Sequence, residues 1–138
     1  MPAAPRLQVQ LLSCQFGGRE VVAELDLQVE AGQVMCLLGP SGCGKSTSLR
    51  MIAGVETPAS GRILIDGAEV FGVSTNLPPE GRGVGLMFQD FALFPHLTVA
   101  KNVGFGLSGD RAAKALRVDE LLEKVNLSGF QNKHPHEL

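Results

Sequence analysis

Nine residues, Gly39-Pro40-Ser41-Gly42-Cys43-Gly44-Lys45-Ser46-Thr47, constrain what this chain can fold into more than any other stretch. Just before them, Val34-Met35-Cys36-Leu37-Leu38 is an unbroken apolar run. It is too short for a helix and predicts a strand buried on both faces of a parallel sheet. Just after them, Leu49, Ile52 and Ala53 fall at helical spacing over 46–53, and Gly54 marks the stop. Strand, glycine-rich turn and helix, in that order, build a cradle for a chain of phosphates. Gly39, Gly42 and Gly44 allow turns that a Cβ would block, so backbone N–H groups of the loop, Ser41 and Cys43 included, can converge on an anion. The helix adds its free amides and the positive end of its dipole. In this spacing Lys45 is expected to reach the β- and γ-phosphates, the Ser46 hydroxyl to hold Mg²⁺, and Thr47 to add a further phosphate contact.

Around this loop the chain reads as strands first and helices later. Leu7-Gln8-Val9-Gln10-Leu11 and Leu25-Asp26-Leu27-Gln28-Val29-Glu30 alternate apolar and polar residues, which predicts two half-buried strands. Phe16-Gly17-Gly18-Arg19 supplies the turn between them, so an antiparallel β element precedes the phosphate loop. Thr57-Pro58-Ala59-Ser60-Gly61 is a loop, Ile63-Leu64-Ile65 a short strand, and Asp66-Gly67 a turn pair. A polar loop over 72–83 leads to a further apolar strand, Val84-Gly85-Leu86-Met87-Phe88, that ends at Gln89. Beyond it, Thr98 is the expected N-cap of a short helix to about 105, although Lys101 stands where a full capping box has an acid. A second helix is expected over 111–125, with Leu116, Leu121, Leu122 and Val125 as its apolar stripe and Glu120–Lys124 as an i,i+4 pair. His134-Pro135-His136-Glu137-Leu138 reads as loop.

The bulk numbers exclude several function classes. A formal charge of −2 with no basic run argues against nucleic acid and against a polybasic membrane patch. No apolar stretch approaches the length of a membrane span and no signal-peptide block opens the chain, so a soluble, cytoplasmic protein is expected. Cys14, Cys36 and Cys43 show no C-x-x-C spacing. Cys36 is expected in a buried strand and Cys43 in the loop, as reduced thiols rather than metal ligands. His96, His134 and His136 lack acidic or thiol partners at ligand spacing and are expected in exposed loops.

From about Leu7 to Leu138 the chain resembles the ATP-hydrolysing subunit of a bacterial ABC importer fed by a solute-binding protein. Gly-Pro-Ser-Gly-Cys-Gly-Lys-Ser-Thr at 39–47 has the form of that family's Walker A motif. Val-Gly-Leu-Met-Phe-Gln-Asp-Phe-Ala-Leu-Phe-Pro-His-Leu-Thr-Val at 84–99 is similar to its Q-loop region and is the more specific match. Pro135-His136-Glu137-Leu138 matches the approach to the signature Leu-Ser-Gly-Gly-Gln. The resemblance implies an α/β P-loop NTPase fold with an N-terminal antiparallel β element. In that layout 1–88 form the β and P-loop core, and 89–138 the Q-loop and the start of a helical subdomain. It implies ATP and Mg²⁺ as ligands, Phe16 as the aromatic that stacks on adenine, and Gln89 as the glutamine that touches Mg²⁺ or the attacking water. A core role for Phe16 at the hairpin end stays open. The implied partners are a second copy, closing head to tail, and membrane permease subunits. These would meet Phe91, Leu93, Phe94 and Pro95 after Gln89, with one or two of those residues packing instead into their own subdomain. The implied location is the inner face of the plasma membrane.

The same resemblance places the rest of the signature, the Walker B aspartate with its glutamate, and the switch histidine after Leu138. Residues 1–138 alone are therefore expected to bind nucleotide weakly at best, not to turn it over, and to aggregate or partly unfold through an unpaired sheet edge. Ile63-Leu64-Ile65-Asp66 has a Walker B outline, but Gly67 stands where a glutamate is required. Leu107-Ser108-Gly109 and Leu127-Ser128-Gly129 open like the signature, and Asp110 and Phe130 break the match. The length of the segment from Gly67 to Glu80 and its Thr75-Asn76-Leu77-Pro78 resemble ferric-iron importers, while sulfate and polyamine systems share much of 84–99. Two other readings stand beside this one: a non-catalytic module that docks on a permease, and another P-loop NTPase or kinase. Asn132-Lys133-His134-Pro135 lacks the aspartate of a GTPase base reader, and no Arg-rich kinase lid is visible.

Overall fold

The computed structural model describes residues 4–90 and 92–138. Two compact units follow one another along the chain, 1–86 and 87–138.

In the first unit, strands β1 (Leu7–Phe16) and β2 (Arg19–Val29) form a hairpin across Gly17-Gly18, both with positive φ. The turn falls where the sequence predicts it, and the strands run longer than predicted. Strands β3 (Ser60–Ile65) and β4 (Ala68–Phe71) make a second hairpin on the Asp66-Gly67 turn, and the sheet order is β2-β1-β3-β4, antiparallel throughout.

Strand β1 departs from clean alternation. Register shifts lie between Val9 and Leu12, and Leu11 takes φ +46°. A bulge of this kind exchanges the two faces of a strand, so Leu11 turns outward (58% exposed) and Leu12 is fully buried. The bulge is held by polar groups: Leu11 N donates to Asp26 Oδ1 (2.9 Å) and Glu24 N donates to Ser13 Oγ (2.9 Å).

Helix α1 (Lys45–Ala53) packs its inner face on this sheet and ends at Gly54 in the left-handed conformation, as expected. Its buried face is Ser48, Met51, Ile52 and Ala53, while Leu49 points outward. The core joins Met51 and Ile52 to Val9, Leu12, Cys14, Val22, Ile63, Val70 and Phe71.

The predicted buried strand at 34–38 is not formed. This run is irregular, with Val34 and Leu38 about nine-tenths exposed and Cys36 exposed as well. Residues 84–88 likewise form no strand. A strand exists only against a hydrogen-bonding neighbour, and among the described residues no segment pairs with either run.

In the second unit, α2 (Val99–Val103) starts at the expected cap, with Lys101 N donating to Thr98 Oγ1 at 3.4 Å. Its first amides are met from outside the helix: Val99 N donates to Lys133 O (2.7 Å) and Ala100 N to Gln131 O (3.0 Å). Helix α3 (Arg111–Lys124) is capped by Asp110, whose Oδ1 accepts from Ala113 N at 2.8 Å. Val118 and Leu122 are its buried positions and join Val99 in a small core. Leu116 and Val125 of the predicted stripe are exposed, because the helix packs on one narrow side only. Glu120 pairs with Arg117 rather than Lys124. Residues Pro135–Glu137 form a 3₁₀ turn where loop was expected.

Candidate functional site

The glycine-rich loop is shaped by contacts that each exclude a side chain. Gly44, the residue before α1, has φ +90°, and a Cβ there would lie 2.6 Å from Val21 O and 2.8 Å from Val22 Cγ2. The loop is thus seated directly on β2. At Gly39 a Cβ would lie 2.8 Å from Cys43 Sγ, so the loop also closes tightly on itself.

Gly44 offers no side-chain cap, and the first hydrogen bond of the helix runs from Ser48 N to Gly44 O at 2.8 Å. The amides of Lys45, Ser46 and Thr47 precede that bond and stand at the positive end of the helix dipole. Lys45, on the first turn, folds back over the loop. Its Nζ donates to Gly39 O (2.8 Å) and Pro40 O (2.7 Å) and approaches Cys43 Sγ at 3.4 Å. One ammonium and a row of helix-end amides therefore share a nine-residue loop, open to solvent at Ser41, Gly42, Cys43 and Ser46. Thr47 is half-buried.

Phe16 ends β1 and is 46% exposed. Cys14, on the same strand, pairs with Val22, the residue against Gly44, so Phe16 lies just beyond the point where the loop meets the sheet. Its ring is not a core residue. Gln89 belongs to the second unit, exposed in a turn. After it, Phe91 lies outside the described residues. Leu93, Phe94 and Pro95 are all exposed in part: Phe94 packs its ring on Phe105 at 4.5 Å, and Leu93 lines an apolar cavity of about 390 Å³ with Val103, Leu121 and Leu127. Asn102 holds this segment in place, accepting from Phe94 N (2.9 Å) and donating to the carbonyls of Phe94, Leu97 and Thr98 (3.1 Å each). Among the described residues no cluster of His, Cys, Asp or Glu could hold a metal ion, and no helix is long and apolar enough to cross a membrane.

Residues 22–138 match the family described as ABC transporter. The chain belongs to that family. It is 49% identical to the spermidine/putrescine import ATP-binding protein PotA of Nitrosospira multiformis, over 96% of this chain and 36% of that protein. It is 47% identical to the sulfate/thiosulfate import ATP-binding protein CysA of Synechococcus elongatus, over 96% of this chain and 38% of the relative. The ATP-binding cassette MJ0796, solved as a dimer in a post-hydrolysis state bound to ADP and Pi, superposes with a TM-score of 0.80 at 25% identity. That match covers 96% of this chain and 62% of the cassette. The ABC fold, with its N-terminal antiparallel sheet, is thereby shared. The chain spans about a third of the length of the curated relatives it matches.

Two further residues hold the two ends of α1 in this ABC chain without any signal in the motif. Ser48, almost fully buried, donates its hydroxyl to Gly44 O at 2.9 Å and locks the last loop glycine to the helix. Arg82, 4% exposed, grips the far end of α1: Nη1 donates to Met51 O (2.8 Å) and Ile52 O (3.2 Å). Its Nε donates to Leu77 O (2.7 Å) and its Nη2 to Asn76 Oδ1 (3.0 Å). Burial pushes the Arg82 guanidinium below its ordinary range. A polar residue at one position of an amphipathic helix, and one arginine in a loop, are too common to announce these roles in advance.

Proposed function

We propose that this chain binds ATP with Mg²⁺ at Gly39–Thr47, as part of an ATP-binding subunit that powers solute import. The observation that carries the reading is Lys45 folded over the glycine loop at the open N-terminus of α1, where an ammonium and unpaired helix-end amides face the same space. These donors fit a triphosphate: amides and a point charge, with no acid among 39–47 to repel it.

In this reading Lys45 releases Cys43 Sγ and one loop carbonyl for β- and γ-phosphate oxygens, while the amides of the loop and of Ser46 and Thr47 hold the rest of the chain of phosphates. Ser46 and Gln89 supply neutral oxygens, the donor type that suits Mg²⁺ when phosphate and water complete its shell. The ion, when bound, screens phosphate charge. Phe16 offers its exposed ring face to adenine. Rate enhancement in a subunit of the relatives' length is assigned to positioning and charge stabilisation.

A second copy, closing head to tail, and permease subunits that meet the surface after Gln89 are the proposed partners, at the inner face of the membrane. The match to a dimeric cassette and to importer subunits supports both. Residues 89–138, with two packed helices, are read as the start of the helical subdomain. Polyamines or sulfate, for which the relatives above are named, are the solute classes with most support. Iron(III), suggested by the segment from Gly67 to Glu80, finds no specific support in those names.

Fluorescence titration with Mg²⁺ and mant-ATP tests the reading. Saturable binding that ADP displaces, that GMP leaves untouched and that Lys45→Ala weakens by about tenfold or more is the expected result. Binding unchanged by Lys45→Ala overturns it.

A further inference from the structure

Arg82 is a buried charge for which the proposed nucleotide site has no use. Each of its three nitrogens donates to a neutral oxygen, and among the described residues it makes no ion pair: its partners are two α1 carbonyls, Leu77 O and Asn76 Oδ1. Burying a guanidinium without a carboxylate is costly, and an apolar residue would fill the same space at lower cost. What the guanidinium adds is direction. The carbonyls of Met51 and Ile52 belong to the last turn of α1, where a cation also complements the helix dipole. Gly54, which ends that helix, makes room for it: a Cβ at Gly54 would lie 2.6 Å from Arg82 Nε. The segment carrying Asn76 and Leu77 is itself anchored to the sheet, with Leu77 N donating to Val70 O (2.9 Å) and Gly72 N to Thr75 O (2.8 Å). Arg82 therefore ties one end of a nine-residue helix to the 76–82 segment. The other end of that helix carries Lys45 and the phosphate-loop amides.

We propose that Arg82 is a positioning residue for the nucleotide site: it clamps the C-terminal turn of α1 to the 76–82 segment and so sets where Lys45 and the first-turn amides stand. A helix of this length moves as a rod, so slack at the clamp becomes displacement at the loop. The inference rests on the nucleotide reading of Gly39–Thr47.

The test compares Arg82→Met, Arg82→Lys, Asn76→Ala and Val118→Ala, the last removing core volume from the second unit, in mant-ATP titrations with Mg²⁺ at a temperature where each is folded. Arg82→Met is expected to weaken binding about tenfold, in line with the cost of sub-ångström misplacement of binding groups. Arg82→Lys should recover part of that loss, Asn76→Ala should weaken binding about two- to threefold by the same logic, and Val118→Ala should bind as the parent does. Arg82→Met binding within about twofold of the parent, or Val118→Ala losing as much as Arg82→Met, overturns the proposal. Should Arg82→Met fail to fold, Arg82→Lys and Asn76→Ala decide it, and unaltered affinity in both overturns it. Amide hydrogen exchange reads the clamp without nucleotide. Faster exchange in Asn76→Ala or Arg82→Lys at both 48–50, the first hydrogen-bonded amides of the helix, and 51–55 supports the clamp, and faster exchange confined to 51–55 overturns it. A parent chain that binds no mant-ATP removes the nucleotide reading, and the exchange pattern then still judges the clamp.

Discussion

At Lys45 three ammonium donors meet three acceptors, the carbonyls of Gly39 and Pro40 and the sulfur of Cys43. The sulfur is the poorest of the three, so the ammonium can take a phosphate oxygen at small cost. Charge-assisted bonds of this type are each worth about 1.5–3 kcal/mol, so Lys45→Ala is expected to lower mant-ATP affinity by about tenfold to a hundredfold. Because the side chain is not in the core, its melting temperature should stay within a few degrees of the parent's, which circular dichroism checks. The loop glycines separate two costs. Gly42, at φ +80°, has nothing within 4 Å of a built Cβ, whereas Gly44 has both a left-handed backbone and the β2 carbonyl at 2.6 Å. Gly42→Ala should cost about 1–2 kcal/mol of backbone strain, and Gly44→Ala that amount plus about 1–3 kcal/mol of overpacking. Urea unfolding of the pair measures the difference, and equal costs would contradict the seating of the loop on β2.

The elements are held at their ends more than along their faces. Helix α3 buries only Val118 and Leu122, and its start depends on Asp110 accepting from Ala113 N. Asp110→Ala should remove about 1 kcal/mol, seen as earlier loss of helical signal on heating. The Pro135–Glu137 turn depends on ionised Glu137. Its carboxylate accepts from His134 N at 2.6 Å, and that bond, first among the causes, holds the carboxyl below its ordinary 4.5. A carboxyl depressed in the folded state contributes above its unfolded value and loses that contribution as pH falls through the lower, folded one. The Glu137 side-chain carboxyl carbon resonance should therefore titrate with its midpoint below 4.5. A transition of that resonance above 4.5 that reports Glu137 would contradict the geometry.

Over the whole molecule, the apolar runs 34–38 and 84–88 are left largely uncovered. Val34 and Leu38 are 87% and 91% exposed, and Met87 is 94% exposed. Extended apolar backbone without a pairing partner is a template for association. Val34→Thr with Leu38→Thr should slow light-scattering growth of the 138-residue chain without lowering its melting temperature, because neither side chain is packed. A drop of several degrees would show that these residues are buried after all.

Much of this architecture was legible locally. The Gly17-Gly18 and Asp66-Gly67 turns, the start of α1 at the glycine loop, its stop at Gly54 and the Thr98 cap all depend on residues a few positions apart, whose backbone preferences act without the rest of the chain. The shape of the glycine loop belongs with them, since its glycines and Lys45 lie on one continuous stretch. Strand formation at 34–38 and 84–88 was not legible, because apolar composition states only that a segment seeks cover, while pairing needs a neighbour from elsewhere. The inversion at Leu11 and Leu12 came from a bulge stabilised by Asp26 and Ser13, partners across the hairpin. Arg82 was invisible for the same reason: its value lies in Met51 and Ile52, some thirty residues away. Local chemistry determined where this chain turns and where Lys45 folds over its glycine loop. Contacts between distant segments decided which faces are buried and what holds the helix behind that loop in place.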